Sequence, residues 1–211
     1  MGRQGSDRAA YGRLSGRAAR GFTMIELMVA VLVAAILMAM AVPSFQSTIN
    51  SGRLATAGNE LLTGLQVARM EAIRYNARTA VCLSLNADTS TPTCAAANTT
   101  TATGWIAFVD ANKNGTYESA SDRLLRQSTV PPKVLLLASP AVPDKVRVTF
   151  RADGFARNKA ETTLLMGAID ICMVTRRPLE NVRRLNIRTG SRMALDRVNA
   201  TGVCNAPSDP T

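Results

Sequence analysis

Across residues 22–45 the chain carries one charge, Glu26. At about 1.5 Å per residue, a helix over this stretch is about 36 Å long, enough to cross the apolar core of a bilayer. Ahead of it stand Arg3, Arg8, Arg13, Arg17 and Arg20 against a single Asp7. Such an excess of arginine holds its side of a membrane segment in the cytoplasm and sends the other side out. A secretory signal fits poorly, because its apolar region is shorter and a small-residue cleavage site follows it. Here the small residue, Gly21, precedes the apolar run. A carboxylate inside a membrane helix costs about 2.5–3.5 kcal/mol, so Glu26 needs something to offset it. A plain anchor lets Glu26 reach the headgroups near the cytoplasmic end. That accounts for its tolerance but not for the glycine before Phe22 or the basic arm.

The 211 residues suffice for one domain with a core plus an accessory segment. Histidine is absent, which removes the commonest general base and metal ligand. No Walker loop, nucleophile elbow or zincin helix is present, so the expectation is a protein that is not an enzyme and needs no cofactor. Four cysteines, Cys82, Cys94, Cys172 and Cys204, lie on the exported side and read as two disulfides. Three connectivities are open, and the closer spacings favour Cys82–Cys94 with Cys172–Cys204.

Beyond Pro43, where a bend is expected, a helix continues to about Tyr75. Leu54, Leu61, Leu65, Ala68 and Ala72 form a stripe at helical spacing, the seam against a following domain. From about residue 76 the texture turns to strands: "TAVCLSL", "GWIAFVD", "KVRVTFR", "AIDICMV" and "VRRLNIR". In the third, Val146, Val148 and Phe150 alternate with Arg147, Thr149 and Arg151, predicting one buried and one wet face. Turn residues separate the runs at 112–115, 153–154 and 189–190. The low-complexity stretch "NADTSTPTCAAANTTTATG" reads as an exposed loop, and the tail after Cys204 as disordered. The expected fold is α+β, one long N-terminal helix on an antiparallel sheet.

"RGFTMIELMVAVLVAAILMAMAVPSF" resembles the N-terminus of type IV prepilins: a basic leader ending in Gly21, an aromatic residue, Phe-Thr-x-Ile-Glu-Leu and an apolar run. "GLQVARMEAIRYN", "VCLS", "GWIAFVDANKNGTYESASDRLLR", "VTFRADGFARN", "IDICMV" and "LNIRTGSRMALDR" are similar, in that order, to the GspH/FimT group of minor pilins and pseudopilins. The resemblance implies a leader over residues 1–21, a helix over 22–75 (22–45 in the membrane, 46–75 amphipathic) and a β-rich periplasmic head over 76–211. It implies that a prepilin peptidase cuts between Gly21 and Phe22 and methylates Phe22. Glu26 then meets the new amino group of a neighbouring pilin, and an unpaired charge among apolar helices enforces register. Such proteins sit in the bacterial inner membrane, then join other major and minor pilins in a pilus or a type II secretion filament. The FimT branch is implicated in DNA uptake.

Two stretches are candidates for binding. Asp110, Asn112 and Asn114 before Gly115 resemble the first half of a calcium loop. The twelfth position is Ser121 rather than an acid, and turn chemistry is the preferred reading. The second is basic. Removing residues 1–21 takes away four net positive charges, leaving +6 from +10. Of these, +5 falls between Arg176 and Arg197, with seven arginines and two acids. Arginine suits bidentate phosphate contacts. Alternation puts Leu185 and Ile187 on one face, with Arg184 and Arg188 on the other. If the segment is a hairpin, Arg188 and Arg192 flank its tip, with Met193 and Leu195 inward. Arg183, Arg184, Arg188, Arg192 and Arg197 are the candidate contacts for double-stranded DNA. The Gly-Arg-x-Arg motif of FimT-like DNA binders is not intact here, where the chain reads Gly190-Ser191-Arg192-Met193. Charge runs are usually solvated, so a basic face for solubility or pilin contact stands slightly ahead of DNA.

Overall fold

The computed structural model describes residues 21–210, apart from the side chains of residues 40–43. The leader arginines lie outside the described residues, and at Pro43, where a bend is expected, the backbone is assigned to α1. The chain divides into two compact units, residues 1–41 and 42–211. A single helix, α1 (Met24–Tyr75), contributes to both.

In the first unit, α1 begins directly after Thr23. The Thr23 hydroxyl accepts the Glu26 N–H at 3.3 Å, and the Thr23 carbonyl accepts Leu27 N–H at 3.1 Å. Thr-x-x-Glu is the residue pattern of a capping box, and an acid in the first turn complements the positive end of the helix dipole. All described side chains of residues 22–39 are exposed. This stretch of α1 buries none of its described side chains.

In the second unit, α1 buries Leu54, Ala57, Leu61, Leu65, Ala68 and Ala72, each at most 1% exposed. The spacing of three and four residues keeps them on one face. Two antiparallel sheets receive that face. One has the order β3-β2-β1-β5-β6, formed by β1 (Thr79–Ser84), β2 (Gly104–Val109), β3 (Arg123–Thr129), β5 (Arg147–Phe150) and β6 (Ala156–Arg157). The other has the order β4-β7-β8-β9, formed by β4 (Val134–Ala138), β7 (Gly167–Met173), β8 (Val182–Arg188) and β9 (Arg192–Val198). A lone bridge, Ala102 to Leu136, joins the sheets. Val81, Trp105, Val148 and Phe150 from the first sheet and Leu136, Ile171, Leu185 and Ile187 from the second share one core with the helix stripe. Gly64 lets Trp105 lie against α1: a Cβ there would come within 2.4 Å of two indole carbons.

The structure corrects three expectations. The far face of the first sheet is wet only in part, with Arg151 exposed and Arg147 half-buried. Ala80, Cys82, Ile106 and Phe108 pack there beneath Ala87, Cys94 and Tyr117, and Thr149 is only 4% exposed. The low-complexity stretch is therefore partly a cover, with Ala87 1% exposed beneath it. The tail beyond Cys204 is ordered, since Asp209 accepts the Ala141 N–H at 2.9 Å and Pro207 is buried. Cys82 is bonded to Cys94 and Cys172 to Cys204, and no described cysteine is free.

Candidate functional site

Gly21 and Phe22 stand in the open just ahead of the helix cap. Among the described residues no atom lies within 4 Å of a Cβ built on Gly21, and Phe22 is 81% exposed. Both are sterically accessible. Glu26 is exposed among Met24, Ile25, Leu27, Met28 and Val29, all of them exposed. The Thr23 cap went unread in the sequence, although Thr-x-x-Glu before an apolar run is itself a helix-start signal.

The arginine segment is a hairpin. β8 and β9 pair in register, with Arg188 opposite Arg192, Ile187 opposite Met193 and Leu185 opposite Leu195. Between them, Gly190 takes the left-handed backbone (φ 73°) that glycine adopts without strain. Ser191 fastens the tip: its hydroxyl accepts the Ala156 N–H at 2.7 Å, and its carbonyl accepts Arg69 Nη1 at 3.0 Å. Position 191, where the DNA-binding motif has arginine, is thus a buried serine. Arg188 and Arg192 are both exposed and form no ion pair among the described residues. They line one side of a cleft of about 360 Å³ with Met166 and Thr189.

The other three candidates do not join them. Arg183 is two residues before Leu185 and shares its inward face. It is 3% exposed and donates to the carbonyls of Glu180 and Val182 and, at 2.9 Å, to Ser51 Oγ. Burial, with Arg197 opposite it, pushes the Arg183 guanidinium below its ordinary pKa. Arg184 is on the outer face but grips buried Asp170 with two bonds of 2.7 and 2.9 Å. Those bonds raise its pKa and occupy its fork. Arg197 is exposed, but alternation puts it on the opposite face from Arg192 and about 17 Å along the strand. Arg183 and Arg184 are therefore dropped from the candidate surface. The Asp170 partner comes from β7, fourteen residues away, with no local signal to announce it.

The calcium-like turn uses its polar atoms on itself. Asn112 Oδ1 accepts Asn114 N–H at 3.0 Å, Asn114 Oδ1 accepts Thr116 N–H at 2.7 Å, and both amide groups donate to Glu118. Asp110 accepts Gly115 N–H at 3.0 Å and lies 2.9 Å from Arg78 Nε. Burial pushes its pKa up, against the pull of Arg78. Arg78 and Arg147, which donates to the Gly115 carbonyl at 2.9 Å, bring positive charge to the loop. Among the described residues no three His, Cys, Asp or Glu side chains gather as metal ligands.

A family model described as "Type II transport protein GspH" matches residues 57–192, and one described as "Prokaryotic N-terminal methylation motif" matches residues 16–42. No curated protein matches the sequence. Among solved structures, the type IV minor pilin FimU of Pseudomonas aeruginosa is similar at 20% identity and TM-score 0.48, over 69% of this chain and 90% of that one. The minor pseudopilin EpsH from the Type 2 Secretion System of Vibrio cholerae is similar at 13% identity and TM-score 0.45, over 69% of this chain and 97% of that one.

Proposed function

Because the chain belongs to the GspH family, we propose that it is a minor pilin or pseudopilin cut between Gly21 and Phe22 by a prepilin peptidase, methylated at Phe22, and built from the inner membrane into a pilus-like filament. The observation that carries this reading is the bare helix. From Phe22 to the edge of the described side chains at position 39, every one is exposed, and Glu26 is the only charge. Water is a poor medium for so much contiguous apolar surface; a bilayer before assembly and a bundle of like helices after it both cover it. In either, Glu26 needs a cation, and the amino terminus of a neighbouring processed chain supplies one. A type II secretion filament and a type IV pilus call for the same physics here.

The test separates the charge from the cap. Glu26→Gln keeps a residue type found at this capping-box position, so membrane insertion and helix start are expected to survive while incorporation into filaments is lost. Normal incorporation of both Glu26→Gln and Glu26→Ala refutes the assembly role.

One observation favours a second reading, a DNA-binding minor pilin active in uptake. Arg188 and Arg192 face each other across the strands without a counter-charge among the described residues, a small stability cost that a phosphate relieves. Each phosphate contact contributes about −0.9 to the slope of log K against log salt. Residues 44–211 are expected to bind duplex DNA with a salt slope that falls by about 2 in Arg188→Glu/Arg192→Glu. Absence of binding at low salt, with both disulfides formed, leaves the pair as a solvated or pilin-facing surface.

A further inference from the structure

The loop between β7 and β8, residues 174–181, exposes Val174 and Leu179 at 68% each, more than any other large apolar side chain described in the second unit except Phe45. Arg176 and Arg177 lie between them and are exposed too. The loop is anchored to α1. Asn50 Nδ2 donates to the Arg177 carbonyl at 2.8 Å, and Arg183, at the start of β8, donates to Ser51. Asn181, fully buried, donates to the Met173 carbonyl at 3.0 Å and closes the loop's base. Beside it runs a cleft of about 390 Å³ whose walls include Ile49, Asn50, Arg53, Lys133, Val174 and Thr175. Four cations and two bare apolar side chains thus share one region, with Glu180 the acid of the loop.

The height of this region follows from the helix. Asn50 is five residues past Phe45, the last residue of the apolar run, or about 7.5 Å along the axis. The headgroup layer of a bilayer is about 5–8 Å deep on each side of the apolar core. Asn50 thus tethers the Arg177 carbonyl within a headgroup layer's depth of the end of the apolar run along the chain. Apolar tips that dip toward acyl chains while arginine and lysine reach phosphates are the side-chain mixture of an interfacial membrane contact.

We propose that the β7–β8 loop is a foot by which the head rests on the outer leaflet of the membrane it is anchored in. Val174 and Leu179 enter the interface, and Arg176, Arg177, Arg53 and Lys133 bind the phosphates of anionic phospholipid. The inference rests on the reading of residues 22–45 as a membrane span. It goes beyond that reading in giving the head its own lipid site.

The test uses the full chain in vesicles of phosphatidylcholine alone or mixed with phosphatidylglycerol, with a benzophenone amino acid at one of three positions: Leu32, Leu179 or Thr189. The Leu32 probe sits in the span and reports insertion. Lipid adducts at Leu179 are expected in phosphatidylglycerol vesicles, with few at Thr189. Arg176→Glu/Arg177→Glu is expected to lower the Leu179 yield at least about fivefold, the effect of roughly one lost cation at an anionic surface. These two arginine side chains are exposed, so folding is spared. Adducts at Leu32 but none at Leu179, or Leu179 adducts to a second copy of the chain instead of lipid, overturn the foot and leave the span intact. Equal Leu179 yields in the two vesicle types, or no effect of the charge reversal, overturn the phosphate contact. Failure at Leu32 overturns the span, and the foot with it.

Discussion

Replacing Gly64 by alanine sets two effects of opposite sign against each other. In a helix interior, alanine is favoured over glycine by up to about 1 kcal/mol. At position 64, however, the new methyl would lie 2.4 Å from two carbons of the Trp105 ring and 3.0 Å from a third. Comfortable carbon contacts lie near 3.5–4.0 Å, so the ring or the helix must give by about 1 Å. Trp105 is fully buried and belongs to the core cluster. Neither partner has a flexible end that can swing aside. Overpacking of this kind costs about 1–3 kcal/mol. Because a rigid indole meets a rigid helix, the upper half of that range applies, and the net loss is about 1–2 kcal/mol. For a domain of this size that lowers Tm by about 2–8 °C. Gly52→Ala is the matched control. It lies in the same helix with nothing within 4 Å of the added carbon, so it is expected to gain up to about 1 kcal/mol. Urea and thermal denaturation of residues 44–211, which keep the whole core, measure both. If Gly64→Ala proves as stable as the parent while Gly52→Ala gains, the close approach of Trp105 does not govern this helix seat.

Two further outcomes follow from polar contacts. The Lys159 ammonium, 2.6 Å from Asp144, holds that carboxyl below its usual 3.8, with Arg147 assisting. A depressed carboxyl contributes stability above the unfolded-state value and loses it as pH falls through the folded one. The stability advantage of the parent over Asp144→Asn is therefore expected to shrink as pH drops below about 3.8, measured by urea denaturation across that window. An advantage that is flat with pH refutes the assignment. Ser191→Ala orphans the buried Ala156 N–H and is expected to cost about 1–3 kcal/mol, with faster hydrogen exchange at Ala156; unchanged exchange there refutes the fastening role of the hydroxyl.

What the sequence made legible was periodic. The stripe from Leu54 to Ala72 follows the helical repeat, and all five anticipated members are buried. Strand parity put Arg188 beside Arg192 and turned Met193 and Leu195 inward, as the register shows. The same parity condemned Arg183, which stands two residues before Leu185; charge count masked that signal. What periodicity could not supply was anything distant in sequence. Thr149, expected to be wet, is buried on a sheet face where Ala80 and Cys82 pack with Ala87 and Cys94 from the loop that follows β1. The tail is held by the Ala141 backbone, and Arg184 is neutralised by Asp170. β3 and β4 went unread for opposite reasons: β3 is a polar edge strand, and β4 is a short, continuous apolar run without alternation.

The cap at Thr23 sets a ruler. Under the proposed cut after Gly21, the ammonium lies on Phe22, the residue before the cap, and Glu26 lies four residues further on, inside the helix. From the cap at Thr23 to Glu26 the helix rises about 4.5 Å, and the non-helical step from Phe22 to the cap adds up to about 3.5 Å. The backbone bonds at the cap allow little stretch in that interval. Two chains whose ammonium and carboxylate meet are then offset lengthwise by about 6–8 Å, between one turn and one and a half, whatever their heads are doing. The offset is written between Phe22 and Glu26 and does not depend on the bulk of the domain that follows.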